Sequence, residues 1–233
     1  VWPVRAYSSE YFTNKLINFL GTSPKDKPFF AYLAFTAPHW PLQAPSTTVA
    51  KYRGRYDNGP TALAETRLKR MAKLGIVPAN VARHPINDNW ASLSTEQRSL
   101  EARKMEVYAA MVDRMDQNIG RVISSLRQSG RLENTIIMFM SDNGPEGLIF
   151  ERPVNPSNPT QPIPVPLDNS LANLGAGDSY FSYGPAWGQV AAAPYWGTKE
   201  HTSEGGIHSP AIIAGPGIIR GRKSDGLLLV TDI

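Results

Sequence analysis

The sequence contains no cysteine among its 233 residues. That excludes a disulfide framework, a thiolate metal site and a cysteine nucleophile within the chain, and it leaves the redox compartment open. No stretch of 18 or more apolar residues occurs, so no helix-type membrane span is expected. The opening Val1-Trp2-Pro3-Val4-Arg5 lacks a basic start followed by an apolar stretch, so no secretory signal is expected there. The 24 basic and 20 acidic residues leave a net charge of +4, too small and too dispersed for a nucleic-acid surface. Local basic groups such as Lys51, Arg53 and Arg55, or Arg67, Lys69, Arg70 and Lys73, read as solvated faces.

What is present suits a folded domain: 41% hydrophobic residues, 9% of all residues aromatic, with no internal repeat. The first residue is not Met, and residues 227–233 form a strand-like apolar run. The chain therefore reads as a piece of a longer protein. Ser9 is a candidate cap for a helix whose apolar stripe is Phe12, Leu16, Phe19 and Leu20, ending near Gly21. Phe29 to Phe35 is a nearly continuous apolar run, the pattern of a strand buried on both faces.

Ser94-Thr95-Glu96-Gln97 has capping-box form. It precedes a long helix with apolar positions Met105, Tyr108, Val112, Met115, Ile119, Val122 and Leu126, closed by Gly130. Thr135 to Met140 reads as a second buried strand, and the short apolar run Ala211 to Ala214 as a third strand. The alternation predicts an α/β fold with a mainly parallel central sheet flanked by helices. Residues 147–195 break the pattern: rich in Pro, Asn, Gly and Ser, they predict a long irregular segment. Its aromatics suit either an active-site rim or a packed excursion with its own small core.

Ligands of such sheets gather at the carboxyl ends of strands, where two patches stand out. His39 sits between prolines in Pro38-His39-Trp40-Pro41, and Asp142-Asn143 offers a carboxylate and an amide oxygen suited to a hard cation. Asp142-Asn143-Gly144 is equally a turn sequence. Lys199 precedes a turn-rich patch, Thr202 to Gly206.

Taken in order, Phe29 through Pro41, then Ser141-Asp142-Asn143-Gly144, then Lys199 through Gly205-Gly206-Ile207 and Pro210, resemble type I sulfatases of the alkaline phosphatase superfamily. Tyr52-Arg53-Gly54-Arg55-Tyr56-Asp57, Met105 to Met111, Asp168-Asn169-Ser170 and Gly177-Asp178-Ser179-Tyr180 resemble the bacterial arylsulfatase branch. The resemblance covers essentially the whole chain, residues 1–233, as the C-terminal part of a catalytic domain that is incomplete on its N-terminal side.

The resemblance implies an alkaline phosphatase-like fold and the hydrolysis of sulfate esters. It implies that Asp142 and Asn143 are two of four Ca²⁺ ligands, that His39 contacts the sulfate and helps the leaving oxygen depart, and that Lys199 binds a sulfate oxygen. It also implies a formylglycine nucleophile, made from the first residue of Cys-x-Pro-x-Arg or Ser-x-Pro-x-Arg. Neither motif is present here. The nucleophile is therefore expected outside this chain, which alone should not turn over. The alternatives are a phosphonate or phosphodiester hydrolase of the same superfamily, or a non-catalytic binding module. A soluble protein is expected, with the choice between bacterial cytoplasm and periplasm left open, able to self-associate through an exposed sheet edge. His84, His201 and His208 read as loop or surface residues.

Overall fold

The computed structural model describes residues 6–155, 157–224, 226, 229 and 231. The opening Val1 to Arg5 and most of the strand expected at 227–233 lie outside the described residues.

Six α-helices and four short strands occur in the described chain: α1 Ser8–Thr22, α2 Ser46–Val49, α3 Gly59–Lys73, α4 Thr95–Gln128, β1 Ile137–Met140, β2 Val154–Asn155, β3 Asn158–Pro162, α5 Pro185–Ala192, α6 Glu204–Ile207 and β4 Ala211–Ala214. The ends of α4 follow from local chemistry. The Ser94 hydroxyl accepts from the Gln97 N–H at 3.2 Å while the Gln97 side chain accepts from the Ser94 N–H at 2.8 Å, completing the capping box. At the other end Gly130, at φ 72°, donates its N–H to the Arg127 carbonyl, and Arg131 donates to that of Leu126. This pair of bonds is a Schellman motif, and it needs the left-handed residue that glycine supplies.

The core lies where the first half of α4 meets the loop after His39 and the segment entering α5. Val107, Ala110, Phe181, Trp187 and Val190 are at most 1% exposed there, beside Met105, Met111, Leu42 and Ala37. Backbone bonds hold the layers together, with Leu42 N–H donating to the Phe181 carbonyl and Ala44 N–H to that of Gly175, each at 3.0 Å. Helix α3 joins through Arg67, whose guanidinium donates to the Val190 and Ala191 carbonyls at the end of α5, where a cation is favoured.

Several expectations are corrected. The run Phe29 to Phe35 has no strand assignment, and Phe30 and Tyr32 are 94% and 84% exposed. A strand is fixed by its neighbours' hydrogen bonds, and no described residue supplies a ladder to this run. Strands form at Ile137–Met140 and Ala211–Ala214 as expected, but they pair with each other, antiparallel, from Ile137 opposite Ala214 to Met140 opposite Ala211. They are largely exposed rather than buried on both faces. The described strands form two two-stranded sheets, both antiparallel.

In α1 the buried positions are Ser9 and Thr13, while Phe19 is 67% exposed. The helix face is set by its contact with α4 rather than by apolarity. Ser9 lies inside the helix and Tyr7 is its cap. Segment 147–195 is not uniformly irregular, since it contains the β2–β3 hairpin and α5. Its Phe181, Tyr183 and Trp187 enter the main core rather than a separate one. No helix among the described residues is long and apolar enough to cross a membrane.

Burial raises the phenol pKa of Tyr7 and of Tyr56 to about 12, and that of Tyr108 and Tyr183 in the same direction. A folded-state pKa above the unfolded 10.0 means that the contribution is complete below pH 10.0 and is lost as pH rises from there toward 12. Urea unfolding should accordingly show the chain weaker at pH about 11 than at neutral pH, with the tyrosinate absorbance of these four residues appearing in step with unfolding. Titration of the Tyr7, Tyr56, Tyr108 and Tyr183 phenols near their ordinary value in the folded chain would contradict this. A second expectation comes from Ile136, Ile212 and Ile213, which are 58%, 64% and 36% exposed on and beside the β1–β4 pair. Apolar two-stranded edges recruit further strands, so sedimentation of the isolated chain should show dimers or larger species rather than a clean monomer.

Candidate active site

Three loops that are distant in sequence meet at one place. The first is Ala37 to Pro41, in which the Ala37–Pro38 and Trp40–Pro41 peptide bonds are both cis and bracket His39. The second, residues 141–148, leaves the end of β1. The third, residues 196–206, leads through α6 toward β4.

The second and third loops touch backbone to backbone. Gly144 N–H donates to the Gly206 carbonyl and Lys199 N–H to the Pro145 carbonyl, both at 2.8 Å, and Ser141 N–H reaches the Pro210 carbonyl at 3.4 Å. A Cβ on Gly144 would stand 2.0 Å from the Gly205 carbonyl oxygen, and one on Gly205 would stand 2.1 Å from that of Gly197. Only hydrogen fits in those gaps.

This approach brings Lys199 to His39. Lys199 Nζ is 3.3 Å from His39 Nε2, while His39 Nδ1 is 2.6 Å from the Trp40 carbonyl. A carbonyl only accepts, so Nδ1 carries the proton; the ammonium only donates, so Nε2 accepts. The contacts thus assign His39 the Nδ1–H tautomer, with its Nε2 lone pair facing Lys199. Trp40 is fixed by stacking on Phe150 at 4.0 Å and by the edge of Tyr180 at 5.9 Å. Two aromatics of the 147–195 segment therefore support the residue that follows His39.

Asp142 and Asn143 lie in the bend after β1, Asp142 exposed and Asn143 half-buried. Asn143 Nδ2 donates to the Gly144 carbonyl at 2.7 Å, which leaves Oδ1 as the amide's ligating atom. The two residues offer oxygen chemistry that suits Ca²⁺. Such an ion takes six to eight oxygens, however, and no group of three or more His, Cys, Asp or Glu among the described residues could hold a metal. The pair fits part of a coordination shell and does not form a site by itself.

Glu146 is the residue that the sequence reading passed over. Its side chain is 11% exposed, and its Oε2 accepts from the Trp40 indole N–H at 3.0 Å and lies 3.9 Å from Lys199 Nζ. A lone Glu after a turn carries no signal of this. Of the other histidines, His208 bonds Glu204 at 2.6 Å and stacks on Tyr195, while His84 and His201 flank Trp196.

The sulfatase family model matches residues 2–233. The chain belongs to the sulfatase family. It is 48% identical over 232 residues to an uncharacterized sulfatase of Schizosaccharomyces pombe, covering 97% of this chain and 42% of that protein. It is 38% identical over 229 residues to an arylsulfatase of Klebsiella aerogenes, covering 96% of this chain and 48% of that protein. A solved Bacteroides fragilis structure described as a sulfatase superposes with a TM-score of 0.55 at 20% identity, over 98% of this chain and 35% of that one. The superposition shows a shared fold. The sulfatase chain thus spans less than half the length of these two sequence relatives. Its likeness to a bacterial arylsulfatase holds, and it extends to a fungal sulfatase.

A two-donor pair binds a hard cation poorly, because most of the shell stays water. Calorimetric titration of the 233-residue chain with Ca²⁺ should show dissociation constants of about 1 mM or weaker. Micromolar binding would mean that further ligands are supplied within the chain.

Proposed function

We propose that the full-length protein is a sulfuric ester hydrolase of the arylsulfatase type and that His39, Lys199, Asp142 and Asn143 belong to its active site. The observation that carries the reading is the 3.3 Å approach of Lys199 Nζ to His39 Nε2, with the Lys199 loop joined by backbone bonds to the segment holding Asp142 and Asn143. The resemblance adds the central sheet of the alkaline phosphatase-like fold, mainly parallel, to which β1 would contribute at the site's edge.

In this reading the Lys199 ammonium donates to a sulfate oxygen and offsets its charge as the ester bond breaks. His39 keeps its Nδ1 proton on the Trp40 carbonyl, so Nε2 is the nitrogen through which protons pass. Protonated there, the ring donates to the departing oxygen and makes the alcohol a better leaving group. Formylglycine, placed outside this chain, would supply the attacking oxygen, and Ca²⁺ would polarise the sulfate with Asp142 and Asn143 among its ligands.

The absence of any cysteine or Ser-x-Pro-x-Arg supports a second reading for the chain in isolation, a non-catalytic fragment that binds anions without turnover. Steady-state assays on the full-length protein separate the possibilities. Aryl sulfates should give the highest kcat/KM, ahead of aryl phosphates, phosphodiesters and phosphonates. Lys199→Ala and His39→Ala should each lower kcat/KM about 100-fold or more, the usual cost of removing a charge-stabilising donor or a general acid. A preference for phosphorus esters, or variants as active as wild type, would overturn the assignment.

A further inference from the structure

We propose that Glu146 is a positioning residue that sets His39 and Lys199 against each other, acting on the first through the Trp40 indole and on the second through its charge. The kinetic half of this inference rests on the sulfatase reading above; the geometric half does not.

The carboxylate is fixed before it meets either group. Its Oε1 accepts from the N–H groups of Gly147 and Leu148, both at 2.9 Å, so it is bound to its own loop as an oxyanion in a small backbone nest. That leaves Oε2 for the site, where it accepts from Trp40 Nε1–H at 3.0 Å and faces Lys199 Nζ at 3.9 Å. The Trp40 indole is thereby held while its own carbonyl accepts the Nδ1–H of His39 at 2.6 Å. Trp40 therefore passes the restraint to the His39 ring, whose centroid is 4.9 Å from its own.

Lys199 is restrained from the same place. Its backbone N–H bonds the carbonyl of Pro145, the residue before Glu146, and its ammonium lies between the carboxylate and His39 Nε2. One short stretch, residues 145–146, thus fixes both ends of the lysine and the neighbour of the histidine. Charge-assisted bonds to a largely buried carboxylate are the stronger kind. The reward for holding two catalytic groups in register is large, since displacements near 1 Å cost about 100-fold in rate.

Glu146→Gln isolates this role. The amide keeps the shape and one oxygen for the Gly147 and Leu148 N–H groups, but its NH2 would face two donors, the Trp40 indole and the Lys199 ammonium. In the full-length protein, with 4-nitrophenyl sulfate as the probe, this variant should lower kcat about tenfold or more. Its KM should change less than about threefold, with little change in thermal midpoint. In a Lys199→Ala background the same substitution should cost less than it does in the wild type, because one of its two targets is gone and only the restraint on His39 through Trp40 remains. Fully additive losses, or a loss that follows lowered thermal stability, would overturn the proposal.

A second measurement works without turnover. In ¹⁵N- and ¹³C-labelled full-length protein, the Trp40 indole N–H signal, identified by its loss in Trp40→Phe, should move in Glu146→Gln together with the His39 ring signals. Stationary His39 signals would sink the inference whatever the activity. Moved signals in a protein that hydrolyses no sulfate ester would uphold the positioning role and remove the function proposed above.

Discussion

The arrangement of the site depends on a close backbone approach in which side chains have no part. Gly144 lies so near Gly205 that a Cβ on it would overlap the Gly205 carbonyl oxygen, and the Gly144 N–H to Gly206 carbonyl bond closes the gap. Because the contact is made by main chain on both sides, it fixes the two loops to within hydrogen-bond tolerance. The Asp142-Asn143 bend and Lys199 are thereby set relative to each other before any side chain adopts a rotamer. Gly147, whose Cβ would stand 2.2 Å from Thr198 Oγ1, continues the seam along the next residues. Long, flexible side chains such as Lys199 lose much rotamer freedom on being positioned, and a rigid seam limits what they must lose.

What could be read from the sequence divides along the range of the interaction concerned. The capping box at Ser94 and the Schellman end at Gly130 are contained within a few residues, so their chemistry is visible in the sequence itself. The α4 stripe was legible only in part. Met105 and Leu126 are buried as its period requires, but Val112 is 36% exposed and Met111 takes the inward place, because the packed face follows the segment around Gly175 and Phe181. Phe29 to Phe35 shows the other limit. Apolar runs state that a strand would be buried if its neighbours were present, and the neighbours are a property of the whole sheet. Within the described residues that run has no ladder, and its Phe30 and Tyr32 face outward.

The proposed site residues obey the same division. His39, Asp142, Asn143 and Lys199 were visible because their flanking text carries a family pattern. Their meeting was not visible, since it arises from bonds such as Lys199 N–H to the Pro145 carbonyl and Gly144 N–H to that of Gly206. Glu146 had no local signature at all. Its partners Trp40 and Lys199 are 106 and 53 positions away, and only their convergence makes a carboxylate there worth burying.

That convergence also explains how the chain can hold His39 and Lys199 in order with its own groups alone. Each restraint on His39 and Lys199 described above originates inside the chain: the Trp40 carbonyl, the Glu146 carboxylate, the Pro145 carbonyl and the glycine seam. None of them requires the sulfate, the cation or the nucleophile. The proposed metal position would be different in kind, because Asp142 is exposed and Asn143 spends its amide N–H on the local turn, and no group of three or more His, Cys, Asp or Glu among the described residues could hold a metal. Under the proposed function, the charge-stabilising groups would thus stand on a prearranged frame, while the cation shell would need further oxygens. Such a split is physically reasonable. Hydrogen-bonded donors can be positioned by a few short-range contacts, whereas a hard cation needs six or more oxygens converging from several directions, which no single pair of loops can provide.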